Sequence, residues 1–243
     1  MSVVARKGIL YLVPTPIGNL GDMTPRAVET LKSVDIIACE DTRHSAPLFH
    51  KLGIQKRLVS YHDFNESKRA DDLIHSLRVG MAVAVVTDAG TPGISDPAYR
   101  LVSRAIEAEI DIIALPGASA LLPAIAASGL PTDRFFFEGF LPHKSSARKK
   151  RLAELVSFPH TLVFYESPHR LEESLTDMRE VLGDRKACVA REISKLHEEF
   201  ARGTLSELIL RAEELSRGEI VVVVKGHEIP PRRKVNKYAK QES

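Results

Sequence analysis

The chain has 243 residues, 44% of them hydrophobic, enough for one large core or two smaller ones. Its formal net charge of +2 is close to neutral, so overall charge gives no argument for a nucleic-acid partner. No run approaches the ~18 apolar residues of a membrane-spanning helix, so none is expected.

The N-terminal MSVVARKG is too short and too polar for a signal peptide, which predicts a cytoplasmic protein. Four apolar runs follow, GILYLVP (8–14), VDIIACE (34–40), MAVAVVTD (81–88) and EIDIIALPG (109–117). Each is rich in Val, Ile or Leu and lacks strict alternation, as in strands of a parallel sheet covered on both faces. RLVSYHD (57–63) is a weaker fifth. Helical patterns lie between them. Thr24-Pro25 reads as an N-cap followed by proline at the first helical position, opening a helix over 25–33. Ala70, Leu73, Ile74 and Leu77 recur at helical spacing within 65–78, and 97–108 and 119–128 complete the set. Strands alternating with helices predict an α/β domain over 1–130.

The pattern restarts after Gly129-Leu130-Pro131. RFFFEGFLP (134–142) reads as a strand, and the basic HKSSARKKR (143–151) opens a helix. TLVFYES (161–167), KACVARE (186–192) and EIVVVVKG (219–226) alternate with helices over 168–181 and 204–216. This predicts a second α/β domain over 131–228. The polar 229–243 lacks apolar periodicity and reads as a disordered basic tail. Cys39 and Cys188 lie far apart, each in an apolar run, as buried free thiols of a reducing cytosol would. No Cys/His cluster has metal-site spacing, so no metal is expected.

Three strand ends of the first domain carry unusual punctuation: VPTPIGNLGD (13–22), DAGTPGISDP (88–97) and LPGASALL (115–122). In an open parallel sheet, ligands bind beyond the carboxyl ends of the strands. Glycine permits positive φ and close backbone approach, and proline fixes φ and removes an N–H. Any one such loop reads as an ordinary turn. Three at one sheet edge predict a rigid, backbone-lined pocket for a polar small molecule. Neither GxGxxG nor GxxxxGK[ST] occurs, so the usual dinucleotide and P-loop phosphate cradles are absent.

Those segments also carry a resemblance. LVPTPIGNLGDMTPRAVETL, EDTRHS, VVTDAGTPGISDP, LPGASALLPAIAASGLPTDRFFFEGFLP, FYESPHRL and ARE followed by HEEF stand here in one order. Together they closely resemble the ribosomal RNA small subunit methyltransferase I family, of the tetrapyrrole methylase superfamily, over roughly residues 8–226. The resemblance implies two α/β domains with the cofactor cleft between them, and a homodimer. It implies an S-adenosylmethionine-dependent enzyme that 2′-O-methylates a cytidine ribose in the decoding region of 16S rRNA, with the rRNA or the small ribosomal subunit as partner. Several relatives carry a further helical C-terminal segment where this chain has its short basic tail, so no RNA contact is carried over from such a segment.

Residue by residue, Gly90, Thr91 and Pro92 match the superfamily's Gly-Asp-Pro turn, with Thr91 in place of the aspartate. The resemblance implies that Gly90, Thr91 and Ile94 bind the cofactor from that loop, Pro16 and Ile17 from the first, and Ser119 and Ala120 from the third. Tyr165 and Ala190 would close over its adenosine.

A ribose hydroxyl is a weak nucleophile, and a positioned base adds about 10²- to 10⁴-fold. Glu40, Asp41, Asp88, Glu166, His169 and Glu198 are the candidates, with Asp41 and Glu166 foremost, although each could equally cap or pair locally. Arg43, Arg170 and Arg191 suit RNA phosphates or the neighbouring carboxylates equally well. Lys144, Arg148, Lys149, Lys150 and Arg151 read as an RNA footprint, and the tail cations Arg232, Arg233, Lys234, Lys237 and Lys240 add non-specific attraction. Phe135, Phe136, Phe137 and Phe140 read as core, with base stacking as the alternative. Two other functions compete with rRNA methylation: methylation of a small molecule such as a tetrapyrrole precursor, and non-catalytic RNA binding in subunit assembly.

Overall fold

The computed structural model describes residues 6–62 and 66–228. The expected basic tail, 229–243, lies outside the described residues. Two five-stranded sheets organise the rest, each within its own α/β domain.

The first contains β1 (Leu10–Leu12), β2 (Ile36–Cys39), β3 (Arg57–Ser60), β4 (Val83–Val85) and β5 (Ile112–Ala114), in the order β3-β2-β4-β1-β5. Every pairing is parallel. Between the strands run α1 (Pro25–Ser33), α2 (Thr42–Lys51), α3 (Glu66–Arg78) and α4 (Ala98–Glu107), and α5 (Leu121–Ala127) follows β5. Alternate strand residues enter different cores. Leu10, Ile36 and Val83 meet Leu73 and Leu77 of α3 and Leu101 of α4. Tyr11, Ile37 and Ala84 meet Leu31 of α1 and Phe49 of α2. Both faces are therefore covered, which is why these runs do not alternate in sequence. The edge strands β3 and β5 are only half-covered.

Thr24 caps α1 by accepting the Ala27 N–H at 3.1 Å, with Pro25 at the first helical position as the sequence predicts. Helix α2 has no clear apolar period, because Pro47 lies inside it and only Ser45 and Phe49 are buried. Cys39 and Cys188 are buried free thiols, and desolvation pushes both up to about 11.

The second sheet contains β6 (Phe135–Phe140), β7 (Thr161–Glu166), β8 (Lys186–Arg191), β9 (Glu199–Thr204) and β10 (Ile220–Val224), in the order β6-β7-β10-β8-β9. Only β6 and β7 run parallel. β9, a polar edge strand paired with β8, has no apolar run to announce it. One face of this sheet packs on α6 (Ser145–Leu155), α7 (Leu171–Leu182), α8 (Leu205–Leu210) and α9 (Ala212–Leu215). The other face packs on Ala124 and Ile125 of α5 and on Ile17 from the loop after β1. That shared apolar layer brings the carboxyl edge of the first sheet against the second domain. Among the described residues no helix is long and apolar enough to cross a membrane, and no His/Cys/Asp/Glu group could hold a metal ion.

Candidate functional site

The strands β4, β1 and β5 are neighbours in the first sheet, so the three glycine- and proline-rich loops leave it side by side. They are joined by their own backbones. Thr15 and Gly90 exchange two backbone hydrogen bonds, of 2.9 and 3.0 Å. The Thr15 hydroxyl donates to the Thr87 carbonyl and the Thr91 hydroxyl to the Ala118 carbonyl, each at 2.9 Å. Gly90 has φ +89°, in the left-handed region that favours glycine. At Gly117 the constraint is space, since a Cβ there would lie 2.6 Å from the Pro14 Cβ. Asp96 fixes the rest of the second loop by accepting the Gly93 N–H at 2.8 Å and the Ala98 N–H at 2.7 Å.

Between these loops and the second domain lies a cavity of about 430 Å³. Ile17, Gly90, Thr91, Ile94, Ser119 and Ala120 line it from the first domain, and Tyr165 and Glu166 from the second. Pro16, Ala190 and Asp41 do not reach it. Pro16 is half-buried beside Ile17, and Ala190 is fully buried and paired with the lining Val221. Burial pushes the Tyr165 phenol up, opposed by a backbone hydrogen bond from Leu121 at the start of α5.

Ile193 and Gly218–Val221 also line the cavity; the sequence marks 219–226 as a strand but neither segment as part of a site. β10 runs antiparallel to β7 and β8, so Ile220 registers with Glu166 and Arg191. An amino-terminal strand end therefore reaches the edge where β7 and β8 finish. The signal available was Gly218, directly before the apolar run. The segment 192–198 closes this side. Lys195 binds Glu192 at 2.9 Å and lays its stem against Gly18, and Ser194 hydrogen-bonds the Asp22 carboxylate.

The candidate bases separate by position. Asp41 caps α2, accepting the Arg43 N–H at 2.8 Å, and its other oxygen pairs with the Arg43 guanidinium at 3.0 Å. The side-chain hydrogen bonds from Arg43, then the backbone one, pull its carboxyl down to about 2. A group that acidic is a weak proton acceptor near neutral pH. Asp88 accepts the Asp41 N–H at 3.4 Å, Glu198 accepts the Ser194 N–H at 2.7 Å, and His169 is exposed on the turn 168–170. Of the six candidates, only Glu40 and Glu166 line the cavity. Glu166 is buried and accepts both the Ser167 N–H, at 2.8 Å, and the Ser174 hydroxyl. Arg170 lies 3.7 Å from it and donates to the Leu141 and Pro142 carbonyls at 3.0 and 3.1 Å. This network holds the turn carrying Ser167 and Pro168, which line the cavity too.

Among the described residues, three of the five cations expected to bind RNA in 143–151 have internal partners. Arg148 is 1% exposed and pairs with Asp177 of α7 at 2.6 Å. Lys149 pairs with Glu180 at 2.6 Å, and Arg151 forks onto Glu138 with two hydrogen bonds of 2.7 Å. Arg43 and Arg191 likewise hold Asp41 and Glu199. Lys144 and Lys150 are the cations of this stretch that remain exposed, and the tail cations lie outside the described residues.

The tetrapyrrole (corrin/porphyrin) methylase profile matches residues 9–209. A "Ribosomal RNA small subunit methyltransferase I" of Micromonospora olivasterospora is 52% identical over 224 residues, 91% of this chain and 72% of that protein. Proteins of the same name from Synechocystis sp. and Bacillus subtilis are 52% and 50% identical, covering 90% of this chain and 79% and 75% of their own. Among solved structures, a uroporphyrin-III-C-methyltransferase from Thermus thermophilus superposes with TM-score 0.63 at 21% identity, covering 90% of this chain and 94% of that one. A cobalt precorrin-4 methyltransferase gives 0.65 at 16%, covering 90% and 95%. At those identities the two structures establish the fold.

Proposed function

The chain belongs to the tetrapyrrole methylase family and, within it, to the ribosomal RNA small subunit methyltransferase I group, and from that premise we propose that it transfers a methyl group from S-adenosylmethionine to the 2′-hydroxyl of a cytidine ribose in the decoding region of 16S rRNA. The observation that carries the reading is the set of three stitched loops at one sheet edge, in a chain about half identical to proteins of that name.

The residues present fit such a cofactor. The cavity is of small-molecule size, typically about 300–1,000 Å³. Gly90 lines the cavity as bare backbone, and Gly117 lets the first and third loops close against each other. We assign Gly90, Thr91, Ser119 and Ala120 to the polar end of the molecule, and Ile17, Ile94 and Tyr165 to its apolar surfaces. When bound, the cofactor supplies an electrophilic methyl group. The chain's own part is to orient the acceptor ribose and to exclude water, and positioning of this kind can provide much of a rate enhancement. Pro16 adjoins the lining residue Ile17 in the chain, and Ala190 adjoins the lining residue Val221 across the sheet. We also read the working form as a cytoplasmic homodimer, on the family resemblance.

In this reading Asp41 caps α2, and Glu166 shapes the turn at 167–170 without taking a proton. Glu166→Gln keeps an acceptor for the Ser167 N–H and is expected to retain kcat within about threefold, well short of the 10²-fold or greater loss of a missing base. Glu166→Ala, which releases the turn, is expected to raise the KM for RNA. A hundredfold fall in kcat for the glutamine variant, with cofactor affinity unchanged, would instead make Glu166 the proton acceptor.

The function itself is tested with labelled S-adenosylmethionine and two acceptors: small subunits from cells lacking this protein, and a tetrapyrrole precursor. Label is expected in the RNA. Label in the tetrapyrrole alone would overturn the reading in favour of a small-molecule acceptor, and cofactor binding absent altogether would leave an assembly factor.

A further inference from the structure

Phe140 differs from the other aromatics of its strand. Phe135 is also exposed, at 41%, contrary to its expected place in the core, but does not line the cavity. Phe136 packs on the main core of the second domain and Phe137 against its inner face, as core phenylalanines should. Phe140 lines the cavity and yet is 58% exposed.

Its direction is imposed by a backbone irregularity. In an unbroken strand, residues three apart point to opposite faces. Here Phe137 pairs with Val163, but Gly139 pairs with Phe164 and Phe140 with Tyr165, so one extra residue is inserted at Glu138. This β-bulge shifts the phase of the strand. Phe137 and Phe140 consequently both meet the Tyr165 ring, at centroid distances of 4.9 and 5.6 Å. Bulges re-aim side chains in this way, often beside active sites.

Two neighbours fix the bulge. Gly139 has φ +78°, and a Cβ on it would lie 3.3 Å from Ser95 Oγ, so the bulge sits against the second cofactor loop of the other domain. The displaced Glu138 is gripped by the fork of Arg151 at 2.7 Å on each oxygen. Phe140 is therefore an exposed aromatic surface on the cavity wall, with the Tyr165 ring beside it.

We infer that Phe140 is the platform on which the base of the acceptor nucleotide stacks. The inference rests on the RNA-methylating reading above and adds a subsite to it. An acceptor nucleotide splayed out of its stack brings its ribose hydroxyl to a recessed cavity and leaves its base unpaired, and proteins commonly hold such a base against an aromatic ring. An aromatic face tolerates any base, so the platform positions the nucleotide and the choice of cytidine is made elsewhere.

The test compares Phe140→Ala, Phe140→Tyr and Phe140→Trp with the wild type, on small subunits lacking the modification. Phe140→Ala is expected to lower kcat/KM for the subunit about 10- to 100-fold, as removal of a base-stacking ring does elsewhere. The loss is expected to persist at saturating S-adenosylmethionine, and the tyrosine and tryptophan variants to recover most of the activity. An unchanged kcat/KM for Phe140→Ala overturns the platform, as does a loss that follows weakened cofactor binding. A wild-type protein that binds the cofactor but methylates no RNA overturns the underlying reading, and the platform with it.

Discussion

Arg148→Ala is expected to destabilise the protein by about 3–5 kcal/mol, the largest effect of any change in the basic stretch 143–151. The arginine is 1% exposed, and its Nε donates to Asp177 Oδ2 at 2.6 Å. The same guanidinium reaches the His143 carbonyl at 3.3 Å and the Glu173 carboxylate at 3.5 Å. Ser145 donates to the other oxygen of Asp177 at 3.1 Å, so the pair ties the start of α6 to the middle of α7. Removing the arginine leaves the buried Asp177 with only Lys149, 3.5 Å away, and the Ser145 hydroxyl, which costs more than the pair itself contributes. Replacing both, as in the Arg148→Met, Asp177→Leu double variant, is accordingly expected to be much milder. Urea denaturation of the three variants checks this. Undiminished stability of Arg148→Ala, combined with weaker RNA binding, would return the residue to the RNA interface.

Gly117→Val is expected to weaken S-adenosylmethionine binding by at least about tenfold, or ~1.4 kcal/mol. Even the first carbon of a side chain would meet Pro14 at 2.6 and 2.9 Å, so the first and third loops must separate. Separation strains the bond from Thr91 to the Ala118 carbonyl and with it the whole stitched edge. Gly93→Ala is the contrasting control. Its φ of +90° makes an alanine strained, but nothing lies within 4 Å of the new carbon. It is expected to cost stability of about 1–2 kcal/mol while leaving the cradle in place. Equilibrium dialysis with labelled cofactor separates the two, and equal affinities for Gly117→Val and wild type would remove the cradle from the account.

How far the sequence discloses this molecule follows from where each signal comes from. The first sheet is legible because its central strands are covered on both faces, so Leu10 to Leu12 and Val83 to Val85 stand out as unbroken apolar runs. β9 and α2 are not, since an edge strand such as Glu199–Thr204 and a proline-containing helix carry no clean period. The first-domain side of the cavity is written in local backbone chemistry, where Gly90, Pro92 and Gly117 are visible as residues. Its other side is assembled over distance. Gly218–Val221 arrives through an antiparallel strand, and Phe140 through a phase shift that a run of three phenylalanines conceals. Charge misleads for the same reason. Arg148 and Asp177 are 29 residues apart, and nothing local distinguishes a buried pair from a solvated basic face.

The most direct measurement of the central claim is nucleoside analysis of small-subunit RNA methylated by the purified protein with labelled S-adenosylmethionine. The account predicts that the label is recovered as 2′-O-methylcytidine from a single position in the decoding region, at a linkage resistant to alkaline hydrolysis. Label on a base, with every linkage cleaved by alkali, would contradict it.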